Sequence, residues 1–447
     1  MPDSPDSQDA ATQTTPPSVT LPETDSTAAI TDAQLAEIAP EVMAGSLSEY
    51  FAAWGRRIRN GESGALPILV GLVVIVIFFQ IQESTFLTAN NLVNLLIQSA
   101  VYIMLGAAEI WALILSEIDL SVGFVAGVAG FIVAELIATP VNLPWWLAII
   151  AMLVAMAAIG CLQGSLISRL GLPSFIVTLG GFLGFEGLML LLANADSTAV
   201  GGVIQIDSNS VVYKIVNDNI SPGLSWILLI VIVAVFAAFT ITGHARRRAQ
   251  GLTAPPLSIT ILTIAVTAIG GAVIVFICNL NRGALTPLKG VPWVVPIVLA
   301  ILMLWSFILG RTKFGRYIYA IGANPEAARR AGINVPIVRT AGFMMCSMTA
   351  GLAGLIYESR QGSMATDIDG GTLVLYAVAA AVIGGTSLFG GKGKPIHALL
   401  GGIVIAAVFN GLGLMGISAA GQDIATAIVL IAAVTLDALV RRRATAR

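Results

Sequence analysis

Twelve stretches of this chain are apolar over a length that crosses about 30 Å of hydrocarbon at about 1.5 Å per residue. They lie near residues 66–82, 92–115, 121–139, 145–167, 174–194, 224–242, 257–278, 292–310, 338–357, 372–389, 397–415 and 423–440. Lipid offers no partner to backbone N–H and C=O groups, so such segments must satisfy them internally as helices. The expected fold class is therefore all-α, a polytopic helical membrane protein of about 10–12 transmembrane helices. Gly or Pro weakens the third, fourth, tenth and eleventh stretches, so broken or re-entrant segments belong to that expectation. Composition excludes an ordinary soluble enzyme: 57% of the 447 residues are hydrophobic, 11% are charged and mean hydropathy is +0.90. Soluble chains carry roughly 25% charged residues.

Charge is unevenly spread. Residues 1–50 hold nine of the 25 acids and no Lys or Arg. Residues 1–31, rich in Pro, Ser, Thr and Asp, read as a disordered acidic cytoplasmic tail, and lack the charged and apolar regions of a signal peptide. Over residues 32–60 Leu35, Ile38, Val42, Leu47, Phe51, Trp54 and Ile58 recur at mostly helical spacing before Arg56, Arg57 and Arg59. That pattern predicts an amphipathic helix on membrane lipid at the cytoplasmic face, with a plain linker as the alternative.

With the N-terminus inside, the twelve-span order places 19 of the 23 Lys and Arg in cytoplasmic loops and leaves only Lys214, Arg282, Lys289 and Arg360 outside. The basic end at 441–447 is also inside, so both termini are expected in the cytoplasm. No basic patch fits nucleic acid. Cys161, Cys278 and Cys346 read as small buried hydrophobes, and His244 and His397 lack metal-ligand spacing, so neither metal nor cofactor is expected. The connection over 195–222 suggests a short hairpin or a small helix.

Two phosphate-type patterns fail. Gly411, Gly413 and Gly416 fit GxGxxG but end an apolar span with no preceding strand, and Gly391-Lys392 would need Gly where Thr386 stands. No nucleotide site is recognisable. Gly123 and Gly127, Gly180 and Gly184, and Gly351 and Gly354 read as close helix contacts in lipid.

Polar groups inside apolar spans are costly and default to function. Glu117 and Asp119 interrupt a long apolar run in LSEIDLSVG, residues 115–123. They mark a broken helix at a pathway, or a loop at the cytoplasmic edge. Glu109 and Glu186 lie deeper in their spans. Asn91, Asn94 and Gln98 project at helical spacing from the preceding span, either as pathway amides suited to a neutral solute or, for Asn91 and Asn94, as caps at the outer surface.

Residues 311–339, RTKFGRYIYAIGANPEAARRAGINVPIVR, read as helix, turn, helix. Asn324 suits an N-cap and Pro325 the first turn, Glu326 favours the positive end, and Gly332 ends the short helix containing Ala327, Ala328 and Arg329. A capped surface helix between two spans is a docking element.

AIGANPEAARRAGINV resembles the cytoplasmic coupling loop of permease subunits of bacterial ABC importers for monosaccharides, the ribose, galactose and xylose group. GGTSLFGGKG at 384–393, GLPSFIVTLGG at 171–181 and EIDLSVG at 117–123 are similar to further signatures of that group, in the same order. The resemblance covers roughly 66–440, the expected permease domain, and is strongest to the xylose-type permeases. Many members have Gly-Gly where this chain has Ser116-Glu117, and Glu186 stands where sugar permeases often carry Arg.

The resemblance implies the membrane-spanning subunit of an importer that moves a monosaccharide, with a pentose such as xylose foremost, across a bacterial cytoplasmic membrane. It implies a permease homodimer, a separate cytoplasmic ATP-binding subunit, and an extracytoplasmic sugar-binding protein. The chain itself is then no enzyme. The rival reading is an ion-coupled secondary transporter using Glu109, Glu117 or Asp119.

Overall fold

In the computed structural model, residues 66–195, 202–251, 254–283, 286–366 and 368–428, with 431 and 435, are described. The expected tail at 1–31, interface helix at 32–60 and basic end at 441–447 lie outside the described residues.

The bundle begins with α1 (Leu66–Gln82), α2 (Ala89–Ile114), α3 (Val122–Ile137), α4 (Trp145–Arg169) and α5 (Ser174–Ala195). The connection that follows holds β1 (Val203–Gln205), α6 (Val211–Asn217) and β2 (Asn219–Ile220). Next come α7 (Pro222–Ala249), α8 (Leu257–Asn279), β3 (Val291–Pro292) and α9 (Val294–Arg311). Two short helices, α10 (Lys313–Ala323) and α11 (Pro325–Arg330), lead into α12 (Val335–Gln361). β4 (Ser363–Ala365), α13 (Gly370–Ile383) and α14 (Pro395–Leu414) complete the named elements, and residues 419–428 are helical.

Eight of these helices are long and apolar enough to cross a membrane. Three apolar helices are shorter, and the two innermost of them, α3 and α13, match stretches weakened by Gly. At 16 and 14 residues they reach only about 24 and 21 Å, short of the roughly 30 Å of hydrocarbon. Protein rather than lipid surrounds both, so their irregular flanks need not face hydrocarbon. Their N-termini meet: a Cβ on Gly123 would lie 1.9 Å from the Gly370 carbonyl oxygen.

The core runs along α2 and α12. α2 is 83% buried over its apolar window and α12 67%, against 6% for α7 and 11% for α8, whose outer faces carry exposed Leu, Ile, Val and Phe. An apolar stripe facing lipid and small residues facing inward is the arrangement a bilayer selects. α12 packs chiefly on α4, α2 and α3, and α14 on α2. Gly354 permits the α12–α3 contact, since its Cβ would lie 2.0 Å from the Ala126 carbonyl oxygen. At Gly180 and Gly184 no described residue lies within 4 Å of a Cβ, so the expected close contact is not made among the described residues.

The connection after α5 contains the expected small helix, and its described residues form no hairpin of their own. β1 pairs antiparallel with β4, setting Ile204 opposite Met364, and β2 pairs antiparallel with β3. Both ladders therefore tie distant connections together at one end of the bundle.

Candidate functional site

The sequence-predicted residues fall at two ends of α2. Asn91, Asn94 and Gln98 stand in its first turns, whereas Glu117 and Asp119 follow its last turn, about 33 Å away along the helix axis. The structure does not bring the two groups together.

At the first end, Thr88 caps α2 by accepting the Asn91 N–H, so neither Asn91 nor Asn94 is the cap residue. Asn91, Asn94 and Gln98 all line a cavity of about 330 Å³, together with Phe409 and Asn410 of α14. Asn91 is buried, and its amide is already committed. It donates to the Phe86 carbonyl at 2.9 Å and to Asn410 Oδ1 at 2.7 Å, and accepts from Asn410 Nδ2 at 2.9 Å. A reciprocal amide pair of this kind clamps α2 to α14 and, with the bond to Phe86, uses both N–H donors of Asn91. Asn94 is exposed and Gln98 half-buried, and among the described residues no hydrogen bond occupies either amide. Their donors and acceptors are free to meet hydroxyl groups. Gln98→Leu keeps the volume and removes both amide functions, so the expected result is transport slowed by roughly threefold to tenfold with unchanged assembly on gel filtration.

At the other end, α2 stops because Ser116 adopts the left-handed conformation, φ +64°. That conformation favours Gly. Ser116 is held there by its side chain, whose single Oγ–H is shared between the carbonyls of Gly322 at 3.0 Å and Phe389 at 3.1 Å. The residue that departs from the Gly-Gly pattern thus compensates its own strain by joining three segments. Glu117 follows and pairs with Arg339 of α12 at 3.1 Å, both largely buried.

Asp119 is fully buried and shapes the start of α3. Its Oδ1 accepts the Ser121 N–H at 2.9 Å and Oγ–H at 2.6 Å, its Oδ2 accepts from Cys346 Sγ at 3.5 Å, and Gln163 Nε2 donates to Ser121 Oγ at 2.8 Å. Glu109 is buried beside it and accepts the Asp119 N–H at 3.3 Å. Asp119→Ala leaves these donors unpaired inside the bundle, at a cost of about 2–3 kcal/mol. Folded yield in detergent should fall accordingly, and Asp119→Asn, which keeps an acceptor for Ser121, should recover part of it.

The segment 311–339 is capped as its residues dictate. Asn324 Oδ1 accepts the Ala327 N–H at 2.9 Å, Pro325 occupies the first turn, and Gly332 ends α11 at φ +82°. Ala328 is the one buried residue of α11 and pins it to the bundle. Glu326 faces outward with Arg329 at 3.6 Å and Arg330 at 3.3 Å, all three exposed. Exposed pairs of this sort contribute little stability, so this face is available to a partner.

α10 and the loop 384–394 are knitted into the end of α2. Gly322 lies so close that its Cβ would sit 1.7 Å from the Ile114 carbonyl oxygen, and Gly391 N–H donates to that same oxygen at 2.9 Å. Gly390, at φ +81°, approaches Ser116 Oγ equally closely. Tyr319 of α10 donates to the Gly393 carbonyl at 2.5 Å, and burial pushes its hydroxyl above the ordinary pKa, keeping it a donor. The EIDLSVG, AIGAN and GGTSLFGGKG motifs therefore form one junction, with Ser116 at its centre. Sequence spacing gave no sign of that residue's role beyond its departure from Gly. Arg360, Tyr102, Asn410 and Gln422 around the polar cavity were equally absent from the sequence-based site; Arg360 had registered only as one of four basic residues outside.

Residues 91–434 match the family described as branched-chain amino acid transport system / permease component. The xylose transport system permease protein of Escherichia coli (strain K12) is 33% identical over 378 residues, 84% of this chain and 92% of that protein. The D-allose transport system permease protein of the same organism is 29% identical over 83% of this chain and 90% of its own length. Its ribose import permease protein is 30% identical over 83% of this chain and 92% of its own length. No solved structure matches the chain.

Proposed function

Because the chain belongs to the branched-chain amino acid transport system / permease component family, we propose that it is the membrane-spanning subunit of an ATP-driven importer of a monosaccharide. Curated relatives named for xylose, allose and ribose support a sugar as the solute, and a pentose such as xylose is the first to test. The chain performs no covalent chemistry. A separate cytoplasmic ATP-binding subunit docks on α11, a sugar-binding protein delivers from the opposite side, and two copies of the chain form one pathway. The open faces of Gly180 and Gly184 suit close approach of a second copy. The charge distribution of 19 basic residues against 4 supports cytoplasmic termini.

The observation that carries the reading is the junction at Ser116. An outward-facing capped helix that is hydrogen-bonded through α10 and the 384–394 loop to the end of the most buried span is a rigid lever. Motion of a docked ATPase passes along it into α2, at whose far end the amide cavity lies. The ion-coupled alternative finds no such support: Glu117 is paired with Arg339, Asp119 is occupied by Ser121 and Cys346, and neither these nor Glu109 lines the amide cavity.

Vesicles containing the assembled transporter, supplied with internal ATP and the cognate binding protein, test the solute class. Labelled xylose, ribose or allose should accumulate, each competing with the others in order of affinity. Accumulation of a branched-chain amino acid, with none of any sugar, would overturn the reading.

A further inference from the structure

The cavity at the first end of α2 has further lining residues. Besides Asn94 and Gln98 it is lined by Arg360, at the end of α12, by Gln422, and by Tyr102 and Phe409. Tyr102 and Phe409 stack at 5.8 Å with an interplanar angle of 25°, and Tyr376 meets both edge-on at 5.6 and 4.7 Å. A flat aromatic face beside carboxamides and a guanidinium offers apolar contact to the C–H faces of a sugar ring and directed hydrogen bonds to its hydroxyls.

The charge in this cavity is one-sided. Its lining includes Arg360 and no carboxylate. The ion pairs among the described residues join Arg329 and Arg330 to Glu326 and Arg339 to Glu117, and none takes up Arg360. Two nearby acids are engaged elsewhere. Asp423 accepts from the Tyr376 hydroxyl at 2.8 Å, and Asp369 caps α13 through the Thr372 N–H at 2.9 Å. Among the described residues no carboxylate pairs with this half-buried guanidinium, so its desolvation is not offset by an ion pair there.

We propose that Arg360 is a specificity-determining residue of the transit site, donating to vicinal oxygens of a neutral sugar lying on the Tyr102–Phe409 face and repelling cationic solutes. The inference rests on the sugar-importer reading and deepens it: the transported class is oxygen-rich and uncharged or acidic, and amino sugars are rejected at this cavity. Arg360 uses its planar fork for affinity and its charge for rejection, so the two roles separate on substitution.

The test uses assembled transporter in vesicles, with Leu414→Cys, at a lining position given no role in binding, labelled by a membrane-impermeant thiol reagent and modification at that position read by mass. D-Xylose should protect the cysteine, and 2-amino-2-deoxy-D-xylose should protect at least about tenfold less well. Adding Arg360→Gln should weaken protection by xylose about tenfold and remove the discrimination against the amino sugar. Arg360→Lys, which keeps the charge and serves if the Gln variant fails to assemble, should weaken xylose protection yet preserve the discrimination. Protection by xylose that neither Arg360 variant changes, or equal protection by the amino sugar in the unsubstituted background, would overturn the role of Arg360 while leaving the importer reading intact. Absence of protection by any sugar would instead count against the amide cavity as the pathway, and the proposal would fall with it.

Discussion

Gly322→Val should disassemble the junction between the coupling segment and the bundle. A Cβ at this position would lie 1.7 Å from the Ile114 carbonyl oxygen and 2.8 Å from the Gly391 nitrogen, and both are backbone atoms that cannot step aside. α10 must move out, and its departure breaks the bond from Ser116 to the Gly322 carbonyl and that from Tyr319 to the Gly393 carbonyl. Overpacking alone costs about 1–3 kcal/mol, and each lost hydrogen bond adds about 1 kcal/mol. The expected outcome is a permease that inserts, melts earlier in detergent and no longer copurifies with the ATP-binding subunit. Gly310→Ala makes a matched control, since nothing lies within 4 Å of its Cβ, and it should be neutral or slightly stabilising. A loss in Gly310→Ala comparable to that in Gly322→Val would contradict this account of the junction.

Reversing the charge of Glu326 should have the largest functional effect with the smallest structural one. The residue sits in the first turn of α11, where a carboxylate is favoured and a cation is not, and it holds Arg329 and Arg330 in place on the exposed face. Glu326→Lys turns one acid between two partnering arginines into a cluster of three cations against the docked subunit. Charge reversal at an interface costs several kcal/mol, so uptake and sugar-stimulated ATP hydrolysis should fall by tenfold or more. Insertion and thermal stability of the isolated permease should stay near those of the unsubstituted chain, because exposed pairs contribute little to folding. Unchanged uptake in Glu326→Lys would remove α11 from the docking surface.

The long helices were legible because hydropathy alone sets them. The first stretch was read at 66–82 and α1 covers Leu66–Gln82. The tenth was read over 372–389, yet α13 stops at Ile383 because Gly384 and Gly385 turn the chain into the loop that meets Ser116. Hydropathy continues through Leu388 and Phe389, so the window could not register the turn. The caps of α11 were equally readable, since Asn324, Pro325 and Gly332 act within one turn of their own positions. Contacts across the sequence were not. Asn91 was grouped with Asn94 and Gln98 by helical spacing, which is correct for the face it occupies. Its partner Asn410 lies 319 residues away, and no periodicity reveals that its amide is spent. Arg360 was hidden for the same reason: four different segments bring it, Tyr102, Phe409 and Gln422 to one cavity.

Energy supply separates the importer from every ion-coupled alternative in one assay. Sealed vesicles carrying the permease, the ATP-binding subunit and the binding protein should accumulate labelled xylose when ATP is enclosed, and should continue to do so after an uncoupler collapses the proton gradient. Omitting the ATP-binding subunit should abolish accumulation. Sugar uptake that survives omission of that subunit and stops with the uncoupler would contradict the account.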